Sequence, residues 1–141
     1  MLYLCNMDIR IARHTDYEIL KEWWSFWRFP APSPLLLPQY EEGLFNGLIV
    51  SEEGKDLASG FLYETNSGIA WLEFIVTNPK TTSDERNKAI LRLLEELSSS
   101  AKELGFSVIF SSIKNENLIN KYIENGFSIG TKGTTELIKI L

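Results

Sequence analysis

The sequence predicts one α/β domain, built on a mixed and mostly antiparallel sheet with helices on both faces. Its 141 residues fit a single domain spanning 1–141 that buries a contiguous core. Three extended runs follow one another with short polar turns between them, as in an antiparallel meander. A long amphipathic helix then separates two apolar runs. Because strands joined through a helix lie parallel, a central parallel βαβ pair is expected.

The first part of the chain predicts a strand, a helix and a stiff loop. Ile9–Arg13 alternates like a short strand, and His14-Thr15-Asp16 supplies capping side chains before a helix over Tyr17–Trp27. Four of the five prolines fall in Phe29–Pro38, where fixed φ angles and missing N–H donors exclude a regular helix or a central strand. A short helix is predicted after this loop, at Gln39–Glu42.

The remaining elements follow from changes of period. The meander strands are predicted at Leu44–Ser51, Asp56–Thr65 and Gly68–Thr77. After Pro79 apolar residues recur at helical spacing as far as Leu104, and Gly105 ends that helix. The last predictions are a buried strand at Phe106–Ile113, a helix at Asn115–Asn125, and a hairpin over Phe127–Leu141 that turns at Lys132-Gly133. A ligand is expected at the carboxyl edge of the parallel strands, beside the start of the long helix.

Composition excludes several classes of function. A net charge of -5 has the wrong sign for nucleic acid or an anionic membrane as a partner. No run approaches the roughly 20 apolar residues of a membrane span, and Met1–Met7 is too short for a signal peptide, so a cytoplasmic location is predicted. The single Cys5 and the single His14 predict neither an internal disulfide nor a metal site.

A motif near the carboxyl end carries a family resemblance. Asn115 and Tyr122 stand seven residues apart, and Gly126-Phe127 follows them. With the opening Ile9-Arg10-Ile11-Ala12 and the junction Ile75-Val76-Thr77-Asn78-Pro79, the chain resembles the GCN5-related N-acetyltransferase (GNAT) superfamily from about Ile9 to Leu141. The resemblance implies transfer of an acetyl group from acetyl-CoA to an amine. Attack would be direct, in a ternary complex, because Cys5 lies in the N-terminal extension and is not placed to form an acyl-enzyme.

The phosphate-binding loop is where this chain departs from the family. The family pattern is Gln/Arg-x-x-Gly-x-Gly/Ala, whereas no glycine follows Pro79 before the long helix. Either Arg86 takes the first position of the pattern, or the register shifts and Lys88 lies near its first glycine. The resemblance implies a helix that starts near Arg86, with Arg86, Asn87, Lys88 and Ala89 at the cofactor phosphates. The alternative is that these cations form a solvated loop and helix face.

Other cofactor contacts are carried over from the same resemblance. The backbone of Ile75, Val76 and Thr77 would pair with the pantetheine arm and hold the thioester oxygen. The same residues also fit an ordinary central strand. Asn115 would contact the amide arm of the cofactor, cap its own helix, or do both. The two parallel strands are expected to part and so form the slot that holds the thioester.

Two side chains are the candidate acid and base. The Tyr122 phenol can donate a proton to the leaving thiolate, and its alternative role is packing one turn from Leu118. Glu73 interrupts the apolar run Ala70–Val76 and can take a proton from the amine, since similar enzymes often place a glutamate on this strand. Its alternative is a polar position on a half-buried strand.

The acceptor and the rival functions complete the predictions. The resemblance places the acceptor, a small-molecule or peptide amine, against Trp24, Trp27 and Phe29. At helical spacing the tryptophans also fit a core. The first rival function is a non-catalytic acyl-CoA-binding protein that kept the fold. The second is a homo-oligomeric structural module without CoA affinity, and a homodimer is also compatible with the enzyme.

Overall fold

The computed structural model describes residues 7–141, so Cys5 lies outside the described residues. Five strands lie in one sheet in the order β1-β2-β3-β4-β5. The strands are β1 (Met7–Arg13), β2 (Leu44–Glu52), β3 (Lys55–Tyr63), β4 (Ile69–Thr77) and β5 (Val108–Phe110). The α-helices are α1 (Tyr17–Phe26), α2 (Ser83–Glu103) and α3 (Glu116–Glu124). Within residues 7–141 no helix is both long and apolar enough to cross a membrane.

The sheet has the predicted pairing. Strands β1 to β4 are antiparallel neighbours, and β4 and β5 are parallel with α2 between them in the chain. The mixed α/β architecture and the central βαβ unit are therefore confirmed. The predicted strand Phe106–Ile113 is shorter than expected, because only Val108–Phe110 pairs with β4.

Two apolar clusters cover the two faces of the sheet. The α2-facing cluster joins buried residues of the sheet to those of the helix, among them Leu62, Ala70, Leu72, Ala89, Leu93, Leu94, Leu97 and Ala101. The α1-facing cluster contains Leu20, Trp23, Trp24, Phe45, Ile49, Phe61 and Val76. Since α1 and α2 pack on opposite faces, both faces of the sheet contribute to a core.

A bulge interrupts β4 at Phe74. Val76 pairs with Ser59 and Glu73 pairs with Phe61, so β4 has one more residue than β3 between these two pairs. Phe74 has φ +60°, a left-handed conformation that is unusual for a residue with a side chain. The extra residue bends the strand at this point.

The bulge also changes which face the side chains of β4 address. In a regular strand, residues two apart share a face. Here Leu72 packs in the α2-facing cluster, whereas Phe74 packs against the α1-facing cluster. Glu73 and Phe74 therefore address the same face. Gly60 lies opposite the bulge, where an added Cβ would come 3.0 Å from Ile75 Cγ1.

The entry to α1 is fixed by a buried carboxylate. The Arg10 guanidinium donates to both oxygens of Asp16, at 2.8 and 3.0 Å. The Arg13 backbone N–H donates to the same carboxylate at 2.7 Å, and Asp56 binds the far side of Arg10 at 3.2 Å. Asp16 thus ties β1 to the start of α1 and, through Arg10, to β3.

Two predicted elements are wrong. The described segment 127–141 contains no strand, so the predicted hairpin is absent, and side chains such as Leu137 and Ile140 are largely exposed. Because β5 is only three residues long, it offers another strand a very short ladder. The short helix at Gln39–Glu42 is also absent. A 3₁₀ turn forms earlier, at Pro34–Leu36, because Ser33 accepts a hydrogen bond from the Leu35 N–H and Pro34 fits the first helical position.

Candidate functional site

The two parallel strands part after three residue pairs. Ile69, Ala70 and Trp71 pair with Val108, Ile109 and Phe110, and β4 then continues alone to Thr77. We call this opening the β4–β5 fork. From Glu73 to Thr77 the edge of β4 that faces the fork has no partner strand among residues 7–141. The slot expected from the sequence is therefore present.

Polar side chains span the closed end of the fork. The Ser111 hydroxyl, one residue after β5, hydrogen-bonds the Leu72 carbonyl of β4. The next backbone N–H, that of Ser112, donates to Glu73 Oε1 at 3.4 Å. Both contacts stand where backbone hydrogen bonds between β4 and β5 would lie if the two strands stayed paired.

Glu73 is a half-buried carboxyl on one arm of the fork. Burial raises its pKa, the Ser112 N–H lowers it, and the nearby charge of Glu136 raises it again, which leaves the pKa at about 7. A carboxyl with such a pKa is half protonated at neutral pH and can exchange a proton there. Burial and the charge of Glu73 also raise the pKa of Tyr63, whose hydroxyl donates to the Leu36 carbonyl at 2.8 Å.

Tyr122 projects from α3 towards the same end of the fork. It is 4% exposed, and its ring packs against Phe127 with centroids 4.8 Å apart. Its hydroxyl lies 2.9 Å from Ser111 Oγ. Burial raises the pKa of Tyr122 and the bond to Ser111 opposes that rise, so the phenol is protonated at neutral pH. The packing role and the candidate acid role coexist in this position.

Asn115 acts as the N-cap of α3. Its side-chain oxygen accepts the Leu118 N–H at 3.0 Å, which satisfies one of the helix's free donors. The residue is exposed, so its amide nitrogen remains accessible to a ligand.

The tip of α2 is partly closed by its own residues. Thr82 accepts the Glu85 N–H at 3.1 Å, and Glu85 accepts the Thr82 N–H at 2.9 Å, which is a capping box. Of the N–H groups in the first turn, the box leaves those of Ser83 and Asp84 without a cap. The side chains of Asp84 and Glu85 bring negative charge to this tip, which opposes an anionic ligand.

The helix start corrects the predicted position of the phosphate-binding residues. Helix α2 begins at Ser83, so Arg86–Ala89 lie inside it rather than in the preceding loop. The Ala89 side chain is fully buried in the α2-facing cluster. Asn87 is exposed, and Lys88 pairs with Asp84 at 3.1 Å. The reason is the Thr82-Ser83-Asp84-Glu85 sequence, which starts the helix one turn earlier than expected.

The loop before α2 needs no glycine because Asn78 organises it. Its Nδ2 donates to the Asp56 carbonyl at 2.9 Å, and its Oδ1 accepts the Lys80 N–H at 2.9 Å. The Thr81 hydroxyl donates to the Asn78 carbonyl at 2.6 Å. These bonds form a tight turn with side chains where the family pattern uses glycine.

Arg86 joins this tip to α1. Its guanidinium donates to the Thr81 carbonyl and lies over the Trp27 ring, 5.4 Å from the centroid. The Trp27 indole donates to the Thr77 carbonyl at 2.9 Å. In the part of the chain that the structure describes, no carboxylate forms an ion pair with Arg86. Its positive charge is therefore not offset by a direct partner.

The predicted pantetheine residues lie at the end of β4. The Ile75 side chain packs on the α2-facing cluster, and Val76 is buried in the α1-facing cluster. Thr77 already receives the Trp27 indole at its carbonyl. A ligand in the fork can therefore meet Val76 through its backbone, whereas Ile75 is only partly buried.

Aromatic rings line the face beside Glu73. Phe29 is 48% exposed and lies 6.3 Å from the Phe74 ring, which lies 6.3 Å from the Tyr63 ring. Trp27 is 44% exposed at the edge of this wall. The predicted acceptor residue Trp24 is instead 1% exposed and packs behind Phe74, so it supports the wall from the core and cannot contact an acceptor.

The structure brings together residues that the sequence did not single out. Ser111 and the bulge at Phe74 shape the fork, and Tyr63 stands beside Glu73. The signal for Ser111 is weak, because two serines after an apolar strand are also typical of a loop. A bulge depends on pairing with a neighbouring strand, so a single strand sequence does not reveal it.

Several solved structures have this architecture. The ribosomal-protein-S18-alanine N-acetyltransferase from Escherichia coli aligns with a TM-score of 0.70 and 21% identity, over 89% of this chain and 79% of that one. The yncA protein from Salmonella typhimurium, solved with its cofactor acetyl-CoA, gives 0.68 and 18%, over 89% and 82%. An aminoglycoside acetyltransferase from an uncultured soil metagenomic sample gives 0.67 and 12%, over 97% and 98%. No family profile and no curated protein sequence matches this chain.

These likenesses confirm the fold expected from the sequence. The chain has the GNAT fold: a single mixed sheet, three helices and two parallel strands that diverge.

Proposed function

We propose that this chain transfers an acetyl or short acyl group from acetyl-CoA to an amine by direct attack in a ternary complex. The observation that carries the proposal is the β4–β5 fork, with the Glu73 carboxyl on one arm and the Tyr122 phenol at its closed end. The choice of donor is supported by the neighbours that share this fold. They include acetyltransferases, and one of the structures contains acetyl-CoA.

The open edge of β4 suits the acyl-bearing arm of the donor. The backbone from Glu73 to Thr77 has no partner strand in the fork, so those of its N–H and C=O groups that point into the fork, apart from the Thr77 carbonyl, are open to the amides of a pantetheine arm. We assign this pairing to the backbone of Ile75, Val76 and Thr77. An N–H aimed at the thioester oxygen would stabilise the charge that develops there during attack.

The start of α2 suits the phosphates, although less well than a glycine-rich loop. The uncapped N–H groups of Ser83 and Asp84 point out of a helix N-terminus, where anions bind favourably. Arg86 adds a positive charge without an ion-pair partner among the described residues, and Asn87 is exposed on the next turn. Lys88 and Lys55 offset the acidic side chains of the first turn. Asn115 adds an exposed amide at the start of α3.

Glu73 and Tyr122 supply the proton transfers. Glu73 takes a proton from the attacking amine, which is protonated in solution because its usual pKa is about 10, and passes that proton to water. The amine nitrogen then bonds to the thioester carbon, the carbon–sulfur bond breaks, and the nitrogen gives its second proton to Glu73 as the amide forms. Tyr122 gives its proton to the departing sulfur. A pKa of about 7 leaves about half of Glu73 ionised at neutral pH, and the phenol is protonated.

The aromatic wall beside Glu73 selects the acceptor. Phe29, Phe74, Trp27 and Tyr63 present ring faces and edges, and Glu73 supplies the carboxyl at their side. A primary amine on an apolar or aromatic group would place its carbon skeleton on the rings and its nitrogen at the carboxyl. Small molecules and peptide termini both fit this description.

The test is turnover with acetyl-CoA and a panel of amines, measured as release of free thiol. The panel pairs aryl-alkyl and alkyl amines with polar amines of equal length. We expect turnover, highest for the apolar amines. We also expect Tyr122→Phe to lower kcat about 100-fold while the Kd for acetyl-CoA changes less than about twofold. Absence of turnover across the panel would overturn the enzyme assignment.

A second candidate function is acyl-CoA binding without catalysis. The capping box and the acidic first turn of α2 motivate it, because they stand where the family pattern has its glycines while the fold is kept. Acetyl-CoA would then raise the Tm, but no amine would be acetylated. If acetyl-CoA leaves the Tm unchanged, both candidates fail.

A further inference from the structure

Ser111 occupies the closed end of the fork and touches both of its sides. It is the first residue after β5, and its hydroxyl reaches across to the Leu72 carbonyl of β4. The same Oγ lies 2.9 Å from the Tyr122 hydroxyl. One half-buried side chain thus links a strand of the sheet to the proposed acid.

The single proton of Ser111 has two acceptors within reach. A serine hydroxyl has one proton to donate. Ser111 Oγ is placed to donate to the Leu72 carbonyl and also to the Tyr122 hydroxyl. The proton can serve only one of these acceptors at a time.

The balance between the two acceptors changes when Tyr122 loses its proton. By turning about its Cβ–Oγ bond, the Ser111 hydroxyl can move its hydrogen bond from the Leu72 carbonyl to the phenolate oxygen at the same 2.9 Å separation. A hydrogen bond to a charged acceptor is stronger than one to a neutral carbonyl. The burial that disfavours the phenolate makes this donor more valuable.

We propose that Ser111 is a positioning residue that aligns the Tyr122 phenol and donates a hydrogen bond to the phenolate oxygen during the reaction. The inference rests on the proposed function of Tyr122 as the acid. The Tyr122 O–H bond breaks as the S–H bond of the thiol forms, and the Ser111 hydrogen bond moves from Leu72 to Tyr122. Ser111 keeps its proton throughout, and water returns a proton to Tyr122 after the thiol leaves.

A structural role alone would give a different result. If Ser111 only satisfies the Leu72 carbonyl, replacing it weakens the fork whether or not residue 122 carries a hydroxyl. If it serves the phenolate, its effect on turnover requires that hydroxyl. A double-mutant cycle separates the two roles.

The first experiment measures kcat and KM for Ser111→Ala in the parent protein and in Tyr122→Phe. We expect kcat to fall about tenfold in the parent, with KM for acetyl-CoA unchanged, and to change less than about twofold in Tyr122→Phe. Ser111→Thr keeps the hydroxyl and should restore most of kcat. Ser107→Ala, an exposed serine at the other end of β5, is the matched control and should leave kcat unchanged. Equal losses in both backgrounds would overturn the proposal.

A second experiment does not depend on turnover. The ¹³Cζ NMR signal of Tyr122, assigned by its absence from Tyr122→Phe, reports the hydrogen bonding of the phenol. We expect Ser111→Ala to move this signal and Ser107→Ala to leave it in place. If Ser111→Ala does not fold, Ser111→Cys keeps the volume and weakens the donor. A moved signal without any amine acetylation would refute the proposed function but retain the contact, whereas an unmoved signal would refute the Ser111 assignment.

Discussion

Glu73 shows how a single position would set the pH range of the proposed reaction. Its carboxyl can act as the proposed base only when ionised, and its pKa is about 7 because it is half-buried. We therefore expect kcat/KM to rise with pH through a midpoint near 7. Glu73→Gln should remove that limb and lower kcat/KM by about 100-fold, measured as initial rates between pH 5.5 and 9. Glu95→Gln, on the exposed face of α2, should keep the parent profile. An unchanged midpoint in Glu73→Gln would exclude Glu73 as the base.

Sequence reasoning found the acid and base candidates but not what surrounds them. Tyr122 was predicted from a motif and Glu73 from an acid within an apolar run, and both lie at the fork. Trp24 was predicted at the acceptor site but is buried, because residues spaced along one helix face can line a core or a pocket alike. Ser111 was missed because its role depends on Leu72, 39 positions away in the chain.

At the scale of elements, substitutions in α2 test the proposal that the cofactor phosphates bind at the start of this helix. Arg86→Glu should weaken acetyl-CoA binding at least about tenfold, because it removes the one cation that stacks on Trp27 and adds a negative charge at the helix tip. Lys102→Glu makes the same charge change near the far end of α2 and should alter the Kd less than about twofold. Isothermal titration calorimetry measures both. Equal effects would mean that net charge, and not this site, governs affinity.

The start of α2 also shows where prediction from the sequence stopped. The stripe from Ile90 to Leu104 gave the helix and its end at Gly105. Its beginning depends on the Thr82–Glu85 capping box, a Thr-x-x-Glu signature that places the helix start three residues before Arg86. Asn78 supplies the turn that glycine supplies elsewhere, through bonds to residues that only the fold brings close.

The bulge in β4 leaves little space for a side chain at Gly60 of β3. A Cβ at Gly60 would lie 3.0 Å from Ile75, 3.2 Å from Leu93 and 3.3 Å from Leu97. We expect Gly60→Ala to lower the free energy of unfolding by about 1–3 kcal/mol, because several core atoms must shift. Gly130→Ala meets nothing within 4 Å and should change it by less than about 0.5 kcal/mol. Urea denaturation compares the two. Equal stabilities would mean that the core around Gly60 yields without cost.

At the scale of the whole molecule, two carboxyls set opposite limits on stability. Burial alone would raise the pKa of Asp16, but hydrogen bonds from Arg10 and from the Arg13 N–H outweigh it and hold that pKa below its usual value. Its contribution is present above about pH 4 and is lost as the pH falls further. The pKa of Glu73 is raised, so the folded state binds more protons than the unfolded state, and stability declines as the pH rises from about 4.5 to about 7.

This opposition predicts a stability maximum on the acidic side of neutrality. Glu73→Gln should flatten this decline of stability with pH. The difference in free energy of unfolding, Glu73→Gln minus parent, should therefore be roughly 2 kcal/mol larger at pH 8 than at pH 4.5. Urea unfolding at several pH values measures the difference, with Glu95→Gln as the reference. Parallel curves for Glu73→Gln and the parent would show that the raised pKa of Glu73 does not govern this range.

The order of elements was predicted almost completely, and the errors lie where pairing partners are needed. The meander and the βαβ unit follow from local period and turn residues. The hairpin over Phe127–Leu141 was predicted from the same kind of alternation, yet it forms no ladder beside the three-residue β5. Alternation marks a segment that can be a strand, and a neighbouring edge of adequate length decides whether it becomes one.

The bulge at Phe74 implies that one inserted residue in β4 keeps the β4–β5 fork open. Without Phe74, Leu72, Glu73, Ile75 and Val76 would alternate between the two faces without interruption, and each would keep the face it has now. Such a shortened chain would lose the Phe74 ring that packs beside Trp24, Phe29 and Tyr63, but its fourth strand would run straight and could continue beside the fifth. The opening is thus an insertion of one residue into an otherwise ordinary strand, and a deletion there would close the space that we assign to a thioester.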